Sequence, residues 1–232
     1  AVSRGGIRLS CAGVISPSGE KQMLKFYHAP WSRSSNVLWL MEELGVPYEI
    51  EQVDIRAGVP ESYRAIQPNK KVPAISHDGV IITERAAISI YLADAFPQAG
   101  LAPKIGDKDR AAYLTWLVYA DSVFDPAVAL HTLKVEYQPS GVSFGSYDDL
   151  VANLERRLSQ SEFIAGDRFT AADVQVAGSM GYVMQQKWLP ERPAFVAYLE
   201  RTTTRPAALR SQAKDLEMAR AVPEFAEMFK GQ

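Results

Sequence analysis

The chain has 232 residues, of which 47% are hydrophobic and 22% charged, with a formal net charge of −2. This length allows one large domain or two modest ones, and the composition is typical of a soluble globular protein. The net charge shows no excess of basic residues, so neither nucleic acid nor an anionic membrane is expected as a partner. No apolar run approaches the roughly 18 residues of a membrane span.

The chain contains a single cysteine, Cys11, and three histidines. One cysteine forms neither an internal disulfide nor a cysteine-based metal site, and this fits a reducing compartment. We therefore expect a cytoplasmic protein without a bound metal. His28, His77 and His131 lack the spacing of a zinc site, and a solvent or interface role is expected for each.

The first 22 residues differ from the rest of the chain. They hold three basic residues and one acidic residue, scattered Ser and Gly, and no hydrophobic periodicity. Three interpretations stay open: upstream or vector-derived sequence, which we favour, a natural flexible extension, and an organellar transit peptide. Residues 1–22 are therefore treated as a leader or added extension and left out of the fold prediction.

Strands and helices alternate in the pattern that begins at Met23. A short strand at 24–27 precedes an apolar helical stripe that ends with Gly45 in the C-cap position. A second strand is predicted at 48–53 and a short helix at 61–66. Because crossovers between parallel strands are right-handed, this order leaves few topologies open.

The densest pattern lies at residues 71–92. Two short apolar runs flank the Asp78-Gly79 pair, and Asp-Gly between such runs is a strong hairpin signal. Thr83 is predicted to cap the helix that follows, with Glu84 in its first turn. The segment therefore supplies two antiparallel strands and a helix start.

A segment rich in Pro and Gly, residues 98–108, indicates a linker. The expected domains are thus an α/β part at 23–97 and an all-α part at 109–232, because every later segment has helical periodicity. Residues 202–232 are expected to be helical and peripheral, with no function assigned to them.

One helix start in the second part has a clear capping signal. Thr170 and Asp173 form an acidic variant of the capping box, and apolar residues follow on the side predicted to be buried. This motif predicts a role in folding rather than in chemistry.

Together these parts resemble the glutathione transferase family, in which a thioredoxin-like α/β domain precedes an all-α domain. In that family the residue before a cis-proline offers its backbone to the peptide part of glutathione, and Val72-Pro73 matches this step. An acidic residue at the next helix start holds the γ-glutamyl end, and Glu84 matches it. Lys71 lies where a side chain often reaches the glycyl carboxylate. Arg85 departs from the family's usual small residue, and it could pair with the γ-glutamyl carboxylate or crowd the site.

The turn after the first strand contains serines and no cysteine. Thiol–disulfide exchange and dehydroascorbate reduction need a nucleophilic protein sulfur, so both are excluded at this turn. Serine-type members of the family place a serine here, whose hydroxyl donates to the glutathione sulfur. Ser32 best matches that position. Ser34 and Ser35 are alternatives, and all three could instead only cap the helix.

A serine hydroxyl at this turn is expected to lower the pKa of the glutathione thiol. A hydrogen bond to a charged group contributes roughly 1.5–3 kcal/mol, which corresponds to about one to two pKa units. The dipole of the helix that begins here acts in the same direction. Because the serine keeps its proton, no histidine base is expected.

The resemblance implies a serine-type glutathione transferase with glutathione as co-substrate, a small electrophilic apolar compound as partner, and a homodimeric assembly. Its second-substrate pocket would lie between the two domains, with Trp31, Tyr113, Trp116 and Tyr119 as candidate lining residues. Aromatic residues at helical spacing are more often part of a core. Glutathione-dependent isomerisation or dehalogenation is an alternative, as is a non-catalytic glutathione-binding interaction protein.

Overall fold

The computed structural model describes residues 23–229. The expected leader at 1–22 lies outside the described residues. The first half contains one mixed sheet with strand order β2-β1-β3-β4. Its strands are β1 (Leu24–His28), β2 (Glu49–Gln52), β3 (Ala74–His77) and β4 (Val80–Thr83). β1 pairs in parallel with β2 and antiparallel with β3, and β3 and β4 form the hairpin.

Helices make up most of the remainder. They are α1 (Ser35–Leu44), α2 (Arg85–Ala95), α3 (Arg110–Tyr119), α4 (Asp125–Thr132), α5 (Tyr147–Leu158), α6 (Ala171–Gln185), α7 (Pro193–Thr203) and α8 (Pro206–Arg220). A π turn at Ala120–Phe124 joins α3 to α4. Short 3-10 helices lie at Glu61–Ala65, Pro97–Ala99, Pro139–Gly141 and Pro223–Phe229. Within residues 23–229, no helix combines the length and apolar character that crossing a membrane requires.

The predicted fold class, a thioredoxin-like α/β part followed by an all-α part, is confirmed. The hairpin prediction is also confirmed, because Asp78 and Gly79 have φ values of 50° and 85°, as a type I′ turn requires. The predicted cap is wrong. Thr83 is still paired with Ala74 in the sheet, so α2 begins only at Arg85.

The hydrophobic core is continuous from the sheet into the helical half. Phe26, Leu40 and Leu92 are fully buried on the face of the sheet that α1 and α2 cover. Alternate residues of β1 point to opposite faces, so Tyr27 packs in a smaller cluster on the other side. The shared core fixes the end of β1 relative to the helices that surround it.

The predicted capping box at the start of α6 is confirmed. The Thr170 N–H donates to Asp173 Oδ2 at 2.8 Å. The other carboxylate oxygen accepts from the Ile164 N–H at 2.7 Å and from the Tyr198 hydroxyl at 3.0 Å. Asp173 is fully buried, and this desolvation raises its pKa to about 6.

The expectation that residues 202–232 are peripheral is wrong for α8. This helix packs along α1, where Ala207, Ala208 and Ala219 are buried. Lys214 on α8 donates to Glu42 of α1 at 2.5 Å. This packing carries α8 side chains to the turn after β1.

Candidate active site

A pocket of about 490 Å³ opens beside the start of α1. Its walls come from the turn after β1, the loop before β3, the start of α2 and the junction of α3 with α4. Six residues predicted from the sequence line it: Ser32, Lys71, Val72, Pro73, Glu84 and Arg85. The other lining residues are Arg33, Ile55, Gln67, Lys70, Asp121 and Asp125.

Ser32 is the serine of the turn that reaches the pocket. Its hydroxyl is half-buried, donates to the Ala29 carbonyl at 2.7 Å and accepts from the Ser34 N–H at 3.1 Å. Ser34 is fully buried, and its hydroxyl forms no cap hydrogen bond with α1. Ser35 is the first residue of α1 and lies outside the pocket lining. The turn therefore presents one hydroxyl, that of Ser32, to a bound molecule.

A buried histidine lies directly behind this turn. His28 at the end of β1 is 0% exposed, and its Nδ1 lies 2.7 Å from Ser34 Oγ. Its Nε2 lies 3.0 Å from Asp215 Oδ1 on α8. The expected solvent role is therefore wrong for His28, which joins β1 to α8. It is also wrong for His77, which is buried and bonded to the Tyr91 hydroxyl at 2.9 Å.

The loop before β3 is held by Gln67, a residue without a predicted role in the site. Gln67 Oε1 accepts from the Asn69 N–H at 2.6 Å and from the Lys71 N–H at 3.4 Å, while Nε2 donates to Glu84 Oε1 at 3.4 Å. The Val72-Pro73 peptide bond that follows is cis. Gln67 therefore links the two segments that meet at this end of the pocket.

Glu84 has an unusual backbone conformation at the start of α2. Its φ is +68° and its ψ 126°, a region that residues other than glycine rarely occupy. Such a conformation costs of order 1–3 kcal/mol and persists only where surrounding structure imposes it. Here it presents an exposed carboxylate at the pocket, beside the start of α2.

Arg85 is only 5% exposed and forms ion pairs with two carboxylates. Its guanidinium donates to Asp125 at 2.8 Å, to Asp121, and to the Ser179 hydroxyl at 3.3 Å. Asp121 also accepts from the Ala86 N–H at 3.0 Å and so caps α2. Asp121 belongs to the π turn and Asp125 is the first residue of α4, so the junction of these two elements presents both carboxylates to the start of α2. In the sequence, the four-residue spacing of Asp121 and Asp125 indicates that they share a helix face. The spacing does not identify Arg85 as their partner.

The aromatic residues proposed for a second-substrate pocket fall into two groups. Tyr113 is fully buried in the core and Trp116 nearly so, and Tyr119 packs on Trp116 with ring centroids 4.9 Å apart. These three lie outside the pocket lining. Trp31 adjoins Ser32, and its ring lies 4.5 Å from that of Phe225 in the last 3-10 helix. Trp31 is also absent from the pocket lining, and of the four residues it is the one that neighbours a lining residue, Ser32, in the sequence.

Known proteins match both halves of the chain. The family model of the glutathione S-transferase N-terminal domain matches residues 26–100, and that of the C-terminal domain matches residues 145–206. Glutathione S-transferase 3 of Schizosaccharomyces pombe is 29% identical over 195 residues, with 74% of this chain and 78% of that protein covered. A probable glutathione S-transferase of Nicotiana tabacum is 30% identical over 158 residues, with 67% of each covered.

Solved structures agree with these matches. A glutathione transferase from Methylococcus capsulatus has a TM-score of 0.68 and 26% identity, with 84% of this chain and 99% of that chain covered. A sphingomonad glutathione S-transferase complexed with glutathione has a TM-score of 0.66 and 26% identity, with 82% and 98% covered. The order of elements, the paired domain matches and these relatives lead to one conclusion: this chain belongs to the glutathione transferase family.

Proposed function

We propose that this chain binds glutathione in the pocket beside Ser32 and transfers its thiolate to small electrophilic apolar compounds. The observation that carries the proposal is the convergence of Ser32, Val72 and Glu84, from three separate segments, on one pocket. The sphingomonad relative, solved with glutathione bound, supports the same ligand.

The charges around the pocket suit the two ends of glutathione. The Lys71 ammonium would pair with the glycyl carboxylate, and the Val72 backbone would pair with the peptide part. The Glu84 carboxylate would accept from the γ-glutamyl ammonium at the opposite end. The pocket lining thus includes both a basic and an acidic side chain, which suit the carboxylate and the ammonium of a zwitterionic peptide.

The γ-glutamyl carboxylate would meet the start of α2. The Arg85 guanidinium is paired with Asp121 and Asp125. Because these two carboxylates already balance its charge, we do not expect it to pair with a third anion. The N–H of Arg85 lies at a helix start, where unpaired donors and the helix dipole favour an anion. We therefore assign the contact with the γ-glutamyl carboxylate to the Arg85 backbone N–H. The Arg85 side chain holds the pocket wall in place through its ion pairs.

The Ser32 hydroxyl would turn from the Ala29 carbonyl and donate to the glutathione sulfur. This hydrogen bond and the start of α1 both stabilise a thiolate, and they lower the pKa of a thiol that is mostly protonated at neutral pH when free. The thiolate then attacks an electrophilic carbon, a C–S bond forms, and a leaving group departs or the adduct takes up a proton. The same thiolate would serve an isomerase or a dehalogenase. A cytoplasmic location and a homodimer belong to the proposal as well.

Retention on immobilised glutathione, combined with a chromogenic conjugation assay, tests the proposal. Wild type, Ser32→Ala and Ser122→Ala are compared, since Ser122 is an exposed serine outside the pocket lining. We expect all three to be retained and only Ser32→Ala to lose turnover, by about tenfold to a hundredfold. Retention of wild type without turnover would favour the non-catalytic glutathione-binding protein. Full turnover by Ser32→Ala would contradict the role of Ser32.

A further inference from the structure

Four side chains form a continuous line of hydrogen bonds that ends at the pocket. Ser32 Oγ lies 2.7 Å from Ser34 Oγ, and Ser34 Oγ lies 2.7 Å from His28 Nδ1. His28 Nε2 in turn lies 3.0 Å from Asp215 Oδ1. Ser32 borders the pocket, whereas Ser34, His28 and Asp215 are each less than a tenth exposed. The line therefore connects the pocket with a buried carboxylate on α8.

The chemistry of the four groups sets the direction of these hydrogen bonds. A carboxylate only accepts, so in neutral His28 the proton sits on Nε2 and Nδ1 is an acceptor. Ser34 then donates to Nδ1, and this contact is shorter than its 3.1 Å alternative to the Ala29 carbonyl. Ser34 Oγ accepts from the Ala29 N–H at 3.2 Å and keeps a lone pair for Ser32. The Ser32 hydroxyl has two acceptors at 2.7 Å, the Ala29 carbonyl and Ser34 Oγ. When its proton turns to Ser34, a path for a proton runs from Ser32 to Nδ1.

We propose that His28 accepts the thiol proton of glutathione through Ser32 and Ser34, and that Asp215 stabilises the resulting imidazolium. This inference rests on the proposed function, because it requires glutathione at Ser32. The thiol proton passes to Ser32 Oγ, the Ser32 proton to Ser34 Oγ, and the Ser34 proton to His28 Nδ1. The S–H bond breaks with its electron pair left on sulfur, and an N–H bond forms on the imidazole.

The product state is stabilised along the whole line. His28 then donates to both Asp215 and Ser34, Ser34 donates to Ser32, and Ser32 donates to the thiolate. Hydrogen bonds aligned in one direction strengthen one another in a low-dielectric interior. The sequence predicts no histidine base, whereas this arrangement supplies one that never touches the substrate. His28, Ser34 and Asp215 are therefore positioning residues that act through Ser32.

The surroundings of His28 leave Asp215 as the carboxylate that balances the imidazolium. On β1 itself the neighbouring ring is that of Phe26, with centroids 5.1 Å apart. On α8, the Lys214 ammonium beside Asp215 is directed to Glu42 and the Tyr48 hydroxyl. In the turn before α1, the Arg33 guanidinium pairs with Asp125. In the loop after β2, the Arg56 guanidinium donates to the Pro30 carbonyl and pairs with Glu224. A buried charge needs such a partner, and Asp215 provides it.

The test compares wild type with His28→Asn, Ser34→Ala and Asp215→Asn. His77→Asn is the matched control, because His77 is also a buried histidine of the sheet but is bonded to Tyr91. Three quantities are measured for each protein: the Kd of glutathione, the ultraviolet absorbance of the bound thiolate against pH, and the protons released on binding in weakly buffered solution. The first reports on binding, and the other two report on where the thiol proton goes.

In wild type and His77→Asn we expect thiolate to form on binding with far fewer than one proton released per thiolate. In His28→Asn and Ser34→Ala the thiolate titration should move up by about one pH unit, a tenfold change in proton concentration. Each thiolate formed there should release one proton, with Kd changed less than threefold. Asp215→Asn retains a hydrogen-bonding side chain but loses the charge, and should shift in the same direction.

Variants that bind glutathione with the wild-type titration and proton release would overturn the inference and leave the proposed function standing. If His28→Asn does not fold, Asp215→Asn and Ser34→Ala decide by the same criteria. A wild type that binds glutathione without forming thiolate, or that does not bind it, would overturn both the inference and the proposed function.

Discussion

The Arg85 guanidinium donates to the Asp125 carboxylate at 2.8 Å, and this ion pair joins the start of α2 to the start of α4. Asp121 accepts from the same guanidinium and caps α2 through the Ala86 N–H. A buried guanidinium requires such partners, because an unpaired charge in the interior is costly. Arg85 stands where the family usually has a small residue, and two carboxylates on the pocket wall balance its charge.

Replacing Arg85 should destabilise the fold more than replacing a neighbouring surface arginine. Arg85→Ser leaves Asp121 and Asp125 without their shared partner, and loss of one member of a buried pair costs about 3–5 kcal/mol. Arg33→Ser removes an exposed partner of Asp125 and should cost less than about 1 kcal/mol. Urea unfolding measures both. Equal midpoints for the two variants would contradict the structural role of Arg85.

Glu84 should show opposite effects on stability and on binding. Glu84→Gly relieves the positive φ, worth about 1–3 kcal/mol, and glycine itself costs roughly 0.5–1 kcal/mol of chain entropy. We expect unchanged or higher stability together with at least tenfold weaker glutathione binding. Glu84→Gln keeps the strained backbone and removes the charge, so it should bind weakly at wild-type stability. Wild-type glutathione affinity in Glu84→Gly would count against the assigned contact.

Gly178 on α6 should tolerate no side chain, because α1 approaches it closely. A Cβ at this position would lie 2.3 Å from Asn36 Oδ1, and Asn36 is buried and bonded to the Gln175 carbonyl at 3.2 Å. Gly178→Ala should lower the free energy of unfolding by about 1–3 kcal/mol. On the same helix a Cβ at Gly181 meets nothing nearer than 4.0 Å. Gly181→Ala should therefore be neutral or stabilising by up to about 1 kcal/mol; a similar loss in both variants would refute the packing argument.

Asp173 should give the protein a specific pH dependence. Burial raises its pKa to about 6 in the folded state from 3.8. Because the folded state holds the proton more tightly, this group stabilises the fold below about pH 4, and the contribution is lost as pH rises through 6. At about 1.4 kcal/mol per pKa unit the contribution is about 3 kcal/mol.

Asp173→Asn removes this titration. The stability advantage of wild type over the variant should therefore fall by about 2.5 kcal/mol between pH 4 and pH 7. Denaturant unfolding of both proteins across that range measures the difference. A difference that stays constant with pH, or that grows toward pH 7, would show that Asp173 does not titrate as described.

Local sequence signals were enough to predict the parts of the fold that form locally. The Asp78-Gly79 turn and the Thr170 capping box each depend on residues within four positions, and both are confirmed. The one local error, Thr83, arose because the strand continues until the backbone reverses at Glu84. A positive φ at a glutamate has no sequence signal.

The missed parts of the site depend on contacts between distant segments. Asp215 follows His28 by 187 positions, and only the packing of α8 on α1 brings them together. Asp121 and Asp125 share a helix face, but their partner Arg85 belongs to another element. Tyr113 and Trp116 have the spacing of either a core or a pocket wall, and spacing alone does not distinguish these.

The proposal that the Ser32 hydroxyl stabilises a glutathione thiolate is tested by titrating the ultraviolet absorbance of the thiolate in the bound complex. In wild type and Ser122→Ala we expect a thiol pKa about one to two units below the free value of roughly 8.5. In Ser32→Ala the pKa should return to near the free value while glutathione stays bound. An unchanged, lowered pKa in Ser32→Ala would contradict the claim.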